Sequence, residues 1–226
     1  MALHTSFCYT GTMFVIHIIT LFIFILVLAC VFHKSFVEML PVGISSLVLL
    51  LYVLGFGRHL TWIDGIALLL LCGIALYFFT RKGEQRKALL KRCIEILKDP
   101  SAIAGLVLLV VVAVGVSGKV VSWWDDYNFW ATDVKSIFYR NGFADKYANA
   151  APEFGDYPPG TQMMKWWFLH FSPGQFREGL LFAGYYVFNL SFLLPLLHYI
   201  RKKTPLSMTL GAILLWIFPT MTEVFW

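Results

Sequence analysis

The stretch Arg81-Lys82-Gly83-Glu84-Gln85-Arg86-Lys87-Ala88-Leu89-Leu90-Lys91-Arg92-Cys93-Ile94-Glu95-Ile96-Leu97-Lys98-Asp99 decides how this chain is read. Seven basic residues stand against three acidic ones, and the stretch separates two apolar runs, Trp62 to Phe79 and Ser101 to Gly118. Apolar runs of roughly 17–25 residues cross a bilayer as helices, and loops rich in Lys and Arg stay on the cytoplasmic side. Within the stretch, Leu89, Leu90, Ile94 and Leu97 recur at helical spacing with basic residues opposite. Arg86 to Leu97 therefore reads as an amphipathic helix on the inner membrane surface, a linker without chemistry of its own.

Working outward, four further runs read as spans: about Met13 to Phe32, Met39 to Phe56, Gly179 to Tyr199 and Leu206 to Met221. Pro41 falls in the first turn of the second run, where proline is tolerated. The fold class expected is all-α, a polytopic membrane protein of about six spans. The alternation of a β-barrel is absent, and only 14% of the 226 residues are charged, with 59% hydrophobic, against about 25% charged in a soluble domain. The mean hydropathy is +0.72.

A second basic loop, Arg201-Lys202-Lys203, and the pair His33-Lys34 fit the same topology as Arg81 to Asp99. Both termini and the long loop 119–178 are then expected outside, at the cell membrane. That loop carries six basic and seven acidic residues, a balance suited to an external segment. Three regions follow: 1–118 with four spans, the external loop 119–178, and 179–226 with two spans. The chain stops on aromatic residues just past a helix, which suggests a fragment of a longer membrane protein. The net charge of +5 reports orientation and gives no reason to invoke nucleic acid. Cys8, Cys30, Cys72 and Cys93 fit neither a CxxC metal site nor a disulfide framework and read as packing thiols.

The external loop holds the candidate chemistry. Trp123-Trp124-Asp125-Asp126-Tyr127-Asn128-Phe129-Trp130 precedes an apolar helical face made by Phe129, Val134, Ile137 and Phe138, with Asn141-Gly142 as the stop. Tyr127 to Arg140 reads as a helix along the outer surface. One aspartate at its start caps backbone N–H groups, but a cap needs only one, so the pair Asp125-Asp126 invites a second role. A carboxylate partly desolvated by Trp123, Trp124 and Trp130 is a stronger proton acceptor, suited to a general base. Asp133 lies seven residues after Asp126, about two turns on, and shares that face, although a solvated surface accounts for it equally well.

Downstream, Glu153-Phe154-Gly155-Asp156-Tyr157-Pro158-Pro159-Gly160 forms a stiff corner, because two prolines fix φ and hold Tyr157 extended. It either places Asp156 and Tyr157 at a site or serves as an entry to the next helix. Thr161 to Phe171 is apolar but too short to span, so it reads as interfacial or re-entrant. Lys135, Arg140, Lys165 and Arg177 are at headgroup level, where a basic side chain meets phosphate and most often anchors to lipid. Trp166-Trp167 reads as an aromatic belt, and His17 and Asn189 as interhelical hydrogen-bonding groups.

An apolar span, then Trp124-Asp125-Asp126-Tyr127 and Trp130, an amphipathic helix, and Asp156-Tyr157-Pro158-Pro159-Gly160 together resemble bacterial GT-C glycosyltransferases, in particular uncharacterised polytopic proteins of that type. The resemblance covers roughly Val120 to Trp167. It implies helices along the outer leaflet and transfer of a sugar from a polyprenyl-phosphate carrier to a glycan, lipid or protein acceptor. It implies Asp125 or Asp126 as the base that deprotonates the acceptor hydroxyl, and Asp156 as a residue that places a sugar. Trp124, Tyr127, Trp130, Asp133, Tyr157 and Lys165 would make the surrounding substrate contacts. Family members usually have more than six spans. No cofactor is required by this chemistry and no metal site is assigned, although clustered carboxylates suit a divalent cation. The rival reading is a non-catalytic accessory or transport component of envelope polysaccharide assembly. Against transport stands the near absence of ionisable residues in the spans. A third reading, an outer-face acyltransferase or ligase, would need a histidine near the carboxylates, and His170 is the only one in the loop.

Overall fold

The computed structural model describes residues 2–122, 129–143, 159–172 and 174–224. Among them every regular element is a helix. In chain order these are α1 (Ala2–Phe32), α2 (Phe36–Phe56), α3 (Ile63–Thr80), α4 (Gly83–Leu97), α5 (Pro100–Gly115), α6 (Ala131–Arg140), α7 (Gly160–Leu169), α8 (Glu178–Leu193) and α9 (Pro205–Val224). Short 3-10 turns precede α3 (Leu60–Trp62) and extend α8 (Leu194–Tyr199).

Four helical stretches are long and apolar enough to cross a membrane: Met13–Phe32, Phe36–Phe56, Leu60–Thr80 and Glu178–Tyr199. These match four of the six expected spans. The expected fourth span is shorter than read. The sixteen residues of α5 rise about 24 Å, less than the ~30 Å apolar core of a bilayer. It meets α4 at a 65° bend and counts as a fifth span only if the bent pair is taken as one. The expected sixth lies in α9, whose side chains are described over Pro205–Ile217, a stretch that is apolar but does not by itself reach spanning length.

Local signals explain the boundaries. Ser35 and Glu38 form a reciprocal capping box: the Ser35 hydroxyl accepts from the Glu38 N–H at 3.3 Å, and the Glu38 carboxylate accepts from the Ser35 N–H at 2.9 Å. This box starts α2 three residues earlier than hydropathy alone suggests and leaves Pro41 inside the helix rather than in its first turn. Asp99 caps α5 by accepting from the Ser101 N–H at 3.0 Å, with Pro100 at the first helical position. The basic stretch forms α4, as its periodicity predicts, and none of its residues is fully buried.

The two ends of the bundle differ. At the basic end, Lys203 donates to both Asp99 carboxylate oxygens at 2.9 Å, tying the loop before α9 to the start of α5. His198 stands 3.8 Å from Glu38 and 3.7 Å from Asp99. Arg92 donates to His33, and the Cys30 and Cys93 thiols lie 3.4 Å apart, unbridged. Burial alone would raise the Asp99 pKa, but the Lys203 ammonium and the Ser101 hydrogen bonds outweigh it and hold the carboxyl below its ordinary range.

The opposite end is closed by α6 and α7. Asn141 ends α6 in the left-handed conformation, φ 56°, one of the few non-glycine residues to adopt it readily. It is then fastened to the turn before α3: its carbonyl accepts from Leu60 N–H at 3.2 Å and its side chain accepts from Thr61 N–H at 2.9 Å. The next residue must be glycine, since a Cβ on Gly142 would stand 2.5 Å from Arg58 Cα. Helix α7 is driven into the protein, with every residue from Gln162 to Leu169 buried. It packs on α8 through Gly184, where a Cβ would stand 2.7 Å from both Lys165 Cα and the Met164 carbonyl oxygen.

Candidate functional site

The burial of α7 overturns two expectations. Trp166 and Trp167 are 1% and 2% exposed, so they form core and no interfacial belt. Lys165 is 5% exposed and cannot reach lipid headgroups as a snorkelling anchor; its ammonium lies 5.2 Å from the centre of the Tyr185 ring. The physical reason is the same for all three. Gly184 lets the α7 backbone settle directly on α8, and α2 and α6 pack on its other sides, so a helix that sequence reads as interfacial is enclosed.

Asp133 is likewise corrected. It is 1% exposed, on the stripe of α6 that also buries Val134 and Ile137, so it is no solvated-face residue. Trp130 opens α6 in helical conformation and is half-buried. Around this cap, Val121 N–H donates to the Glu178 carboxylate at 2.6 Å, and Lys119 donates to the Tyr186 hydroxyl at 3.0 Å. These contacts join the chain leaving α5 to the first half of α8. Asp125, Asp126 and Asp156, with Trp124, Tyr127 and Tyr157, lie outside the described residues.

The structure adds a polar cluster at the same end. His17 in α1 donates from Nε2 to Asp64 Oδ1 in α3 at 2.8 Å. Its Nδ1 accepts from the Trp167 indole N–H at 3.3 Å, which fixes that tautomer for the neutral ring. His170, at the end of α7, donates from Nδ1 to the Trp167 carbonyl at 2.5 Å. Its Nε2 faces Asp64 Oδ1 at 3.3 Å and makes no hydrogen bond. The His170 ring stacks flat on Trp166, with centroids 4.8 Å apart. Burial pushes the His170 pKa down against the pull of the Asp64 carboxylate. The interhelical hydrogen bond expected of His17 is therefore present. Asp64 was missed because hydropathy averages one carboxylate into an apolar run. Only tertiary packing brings positions 17, 64 and 170 together.

Beside this cluster, an apolar groove of about 130 Å³ runs between α1, α2 and α3. Leu21, Phe24, Leu47 and Leu70 line it, and His17 and Trp167 stand at its polar end. No family model, curated protein or solved structure matches the chain.

Proposed function

We propose that this chain carries the catalytic loop of a GT-C type membrane glycosyltransferase, which moves a sugar from a polyprenyl-phosphate carrier to an acceptor hydroxyl on the outer membrane face. The observation that carries the reading is the cap made by α6 and α7. The two stretches that bear the acidic motifs, 123–128 and 144–158, begin and end on it or beside it, at Ser122 and Phe129 and at Phe143 and Pro159. The cap sits at the end of the bundle away from the basic loop, and the positive-inside rule assigns that end to the exterior.

In this reading Asp125 or Asp126 takes the proton of the acceptor hydroxyl. The resulting oxygen attacks the anomeric carbon, and the bond from that carbon to the carrier phosphate oxygen breaks, releasing the lipid phosphate. Asp156 orients a sugar. Trp124, Tyr127, Trp130 and Tyr157 supply ring faces and hydroxyls to the substrates, and Asp133 supports the loop from within α6. Lys165 is a buried cation of α7 and supplies positive charge behind the site that favours the phosphate at a distance. The apolar groove suits an isoprenoid chain. The chemistry needs no cofactor; a divalent cation among the loop carboxylates remains compatible with it.

A second reading, a transport or accessory component, gains from His17, Asp64 and His170. Ionisable groups within spans are what transport paths use, and the apparent lack of them was the argument against transport. One experiment separates the two. Proteoliposomes containing the chain are incubated with labelled polyprenyl-phosphate sugars and glycan, lipid or protein acceptors. Sugar transfer that Asp125→Asn or Asp126→Asn abolishes, with expression retained, supports the glycosyltransferase. Transfer at wild-type rate in both variants refutes the base assignment, and no transfer by the wild type with any carrier sugar favours the accessory reading.

A further inference from the structure

We propose that His17, Asp64 and His170 form a binding site for one divalent transition-metal ion, zinc by its ligand chemistry, that clips α1, α3 and α7 together at the capped end of the bundle. This inference does not rest on sugar transfer. The candidate ligand atoms, one imidazole nitrogen from each histidine and one Asp64 carboxylate oxygen, all lie within 4.8 Å of one another. Zinc bonds to nitrogen and oxygen of about 2.0–2.1 Å in a tetrahedron place neighbouring ligand atoms about 3.3–3.4 Å apart. The observed separations to Asp64 Oδ1, 2.8 Å from His17 Nε2 and 3.3 Å from His170 Nε2, need only small side-chain shifts.

The second and independent observation is His170 itself. Its side chain is 8% exposed, and Nε2 is buried without a hydrogen bond while facing Asp64 Oδ1 at 3.3 Å. Its Nδ1–H is already held by the Trp167 carbonyl. That is how proteins orient a metal-binding imidazole: an outer acceptor fixes the ring and leaves the other nitrogen free. Two imidazoles and one carboxylate are a donor set that zinc takes in open sites, with the fourth position left to water or a ligand. The Asp64 side chain, 25% exposed, marks the way in.

Two hydrogen bonds oppose binding. Metal on His17 Nε2 displaces the proton that Nε2 donates to Asp64 at 2.8 Å, and a neutral ring then carries its proton on Nδ1, which ends the 3.3 Å indole bond from Trp167. These two bonds are exchanged for three metal–ligand bonds, and Asp64 stays engaged as a ligand.

The test uses the full chain in detergent, stripped with chelator, loaded with zinc alone and dialysed. Metal content is measured by mass spectrometry and the melting temperature is recorded with and without zinc. The wild type should retain one zinc per chain and melt higher with it. His17→Gln, Asp64→Asn and His170→Gln should each lose at least about ten-fold in affinity, while the double variant Cys30→Ser/Cys93→Ser keeps the metal. A cobalt-loaded wild type guards against variants that fail to fold: ligand-field bands without thiolate charge transfer are expected. Four results overturn the site: a wild type that retains no zinc, zinc retained by both Asp64→Asn and His170→Gln, zinc lost with the two cysteines, or a thiolate band with cobalt.

Discussion

Replacing Gly184 by alanine tests the placement of α7 most directly. The added Cβ would stand 2.7 Å from Lys165 Cα and from the Met164 carbonyl oxygen, and 2.9 Å from Lys165 N. All three are backbone atoms, so no side-chain rotation relieves the contact. Carbon atoms pack at about 3.5–4.0 Å, so α7 must retreat from α8 by about 1 Å. Overpacking of this kind costs about 1–3 kcal/mol. In a chain of this size that lowers the melting temperature by about 2–12 °C. The control is Gly73→Ala in α3, where a Cβ meets nothing within 4 Å. There alanine removes the backbone entropy cost of glycine in a helix, worth about 0.5–1 kcal/mol, so the melting temperature should hold or rise by a few degrees. The assay is thermal unfolding of both variants in one detergent, followed by tryptophan fluorescence. If Gly184→Ala melts with or above the wild type, α7 does not lie on the α8 backbone, and the burial of Lys165 and Trp166 fails with it.

Two further outcomes follow from the charged groups. The Asp99 carboxyl titrates below its unfolded value, so its contribution is present above the unfolded pKa of about 3.9 and is lost as pH falls through the lower folded value. Asp99→Asn, which keeps a capping side chain, should therefore melt lower than wild type at pH 7, and the gap should begin to shrink below about pH 4 and narrow steadily as pH falls further; a gap that does not change with pH across that range refutes the ion pair with Lys203 as its source. Lys165→Met keeps the length and apolar stem of a buried residue while removing its charge. Under the glycosyltransferase reading, transfer should fall by about ten-fold or more, since one charge-stabilising group is commonly worth that much or more in rate. A variant that folds and transfers at the wild-type rate removes Lys165 from the phosphate role.

Sequence alone was sufficient wherever a signal is local and periodic. The apolar runs from Met13, Met39, Trp62 and Gly179 became helices of spanning length because the length of a greasy run is a local property. The amphipathic reading of Arg86 to Leu97 and the stop at Asn141-Gly142 held for the same reason, since periodicity and left-handed caps need only nearby residues. The capping box at Ser35 and Glu38 is local but not periodic, so the apolar run does not reveal it, and it is this hydrogen-bonded pair that sets the start of α2 and puts Pro41 inside the helix.

Burial was decided by tertiary structure, because it depends on what covers a helix rather than on the helix. Lys165, Trp166 and Trp167 have the composition of a membrane-surface helix and became core because α2, α6 and α8 pack around them, with a glycine of α8 at the closest contact. Asp133 followed the buried face of α6 into the protein. The meeting of His17, Asp64 and His170 has no local signature at all: three polar residues on three helices are each diluted by apolar neighbours in any window. The chain's chemistry divides on the same line. Its acidic motifs are legible as sequence because their residues are contiguous, whereas a cluster assembled across the fold exists only once the helices have packed.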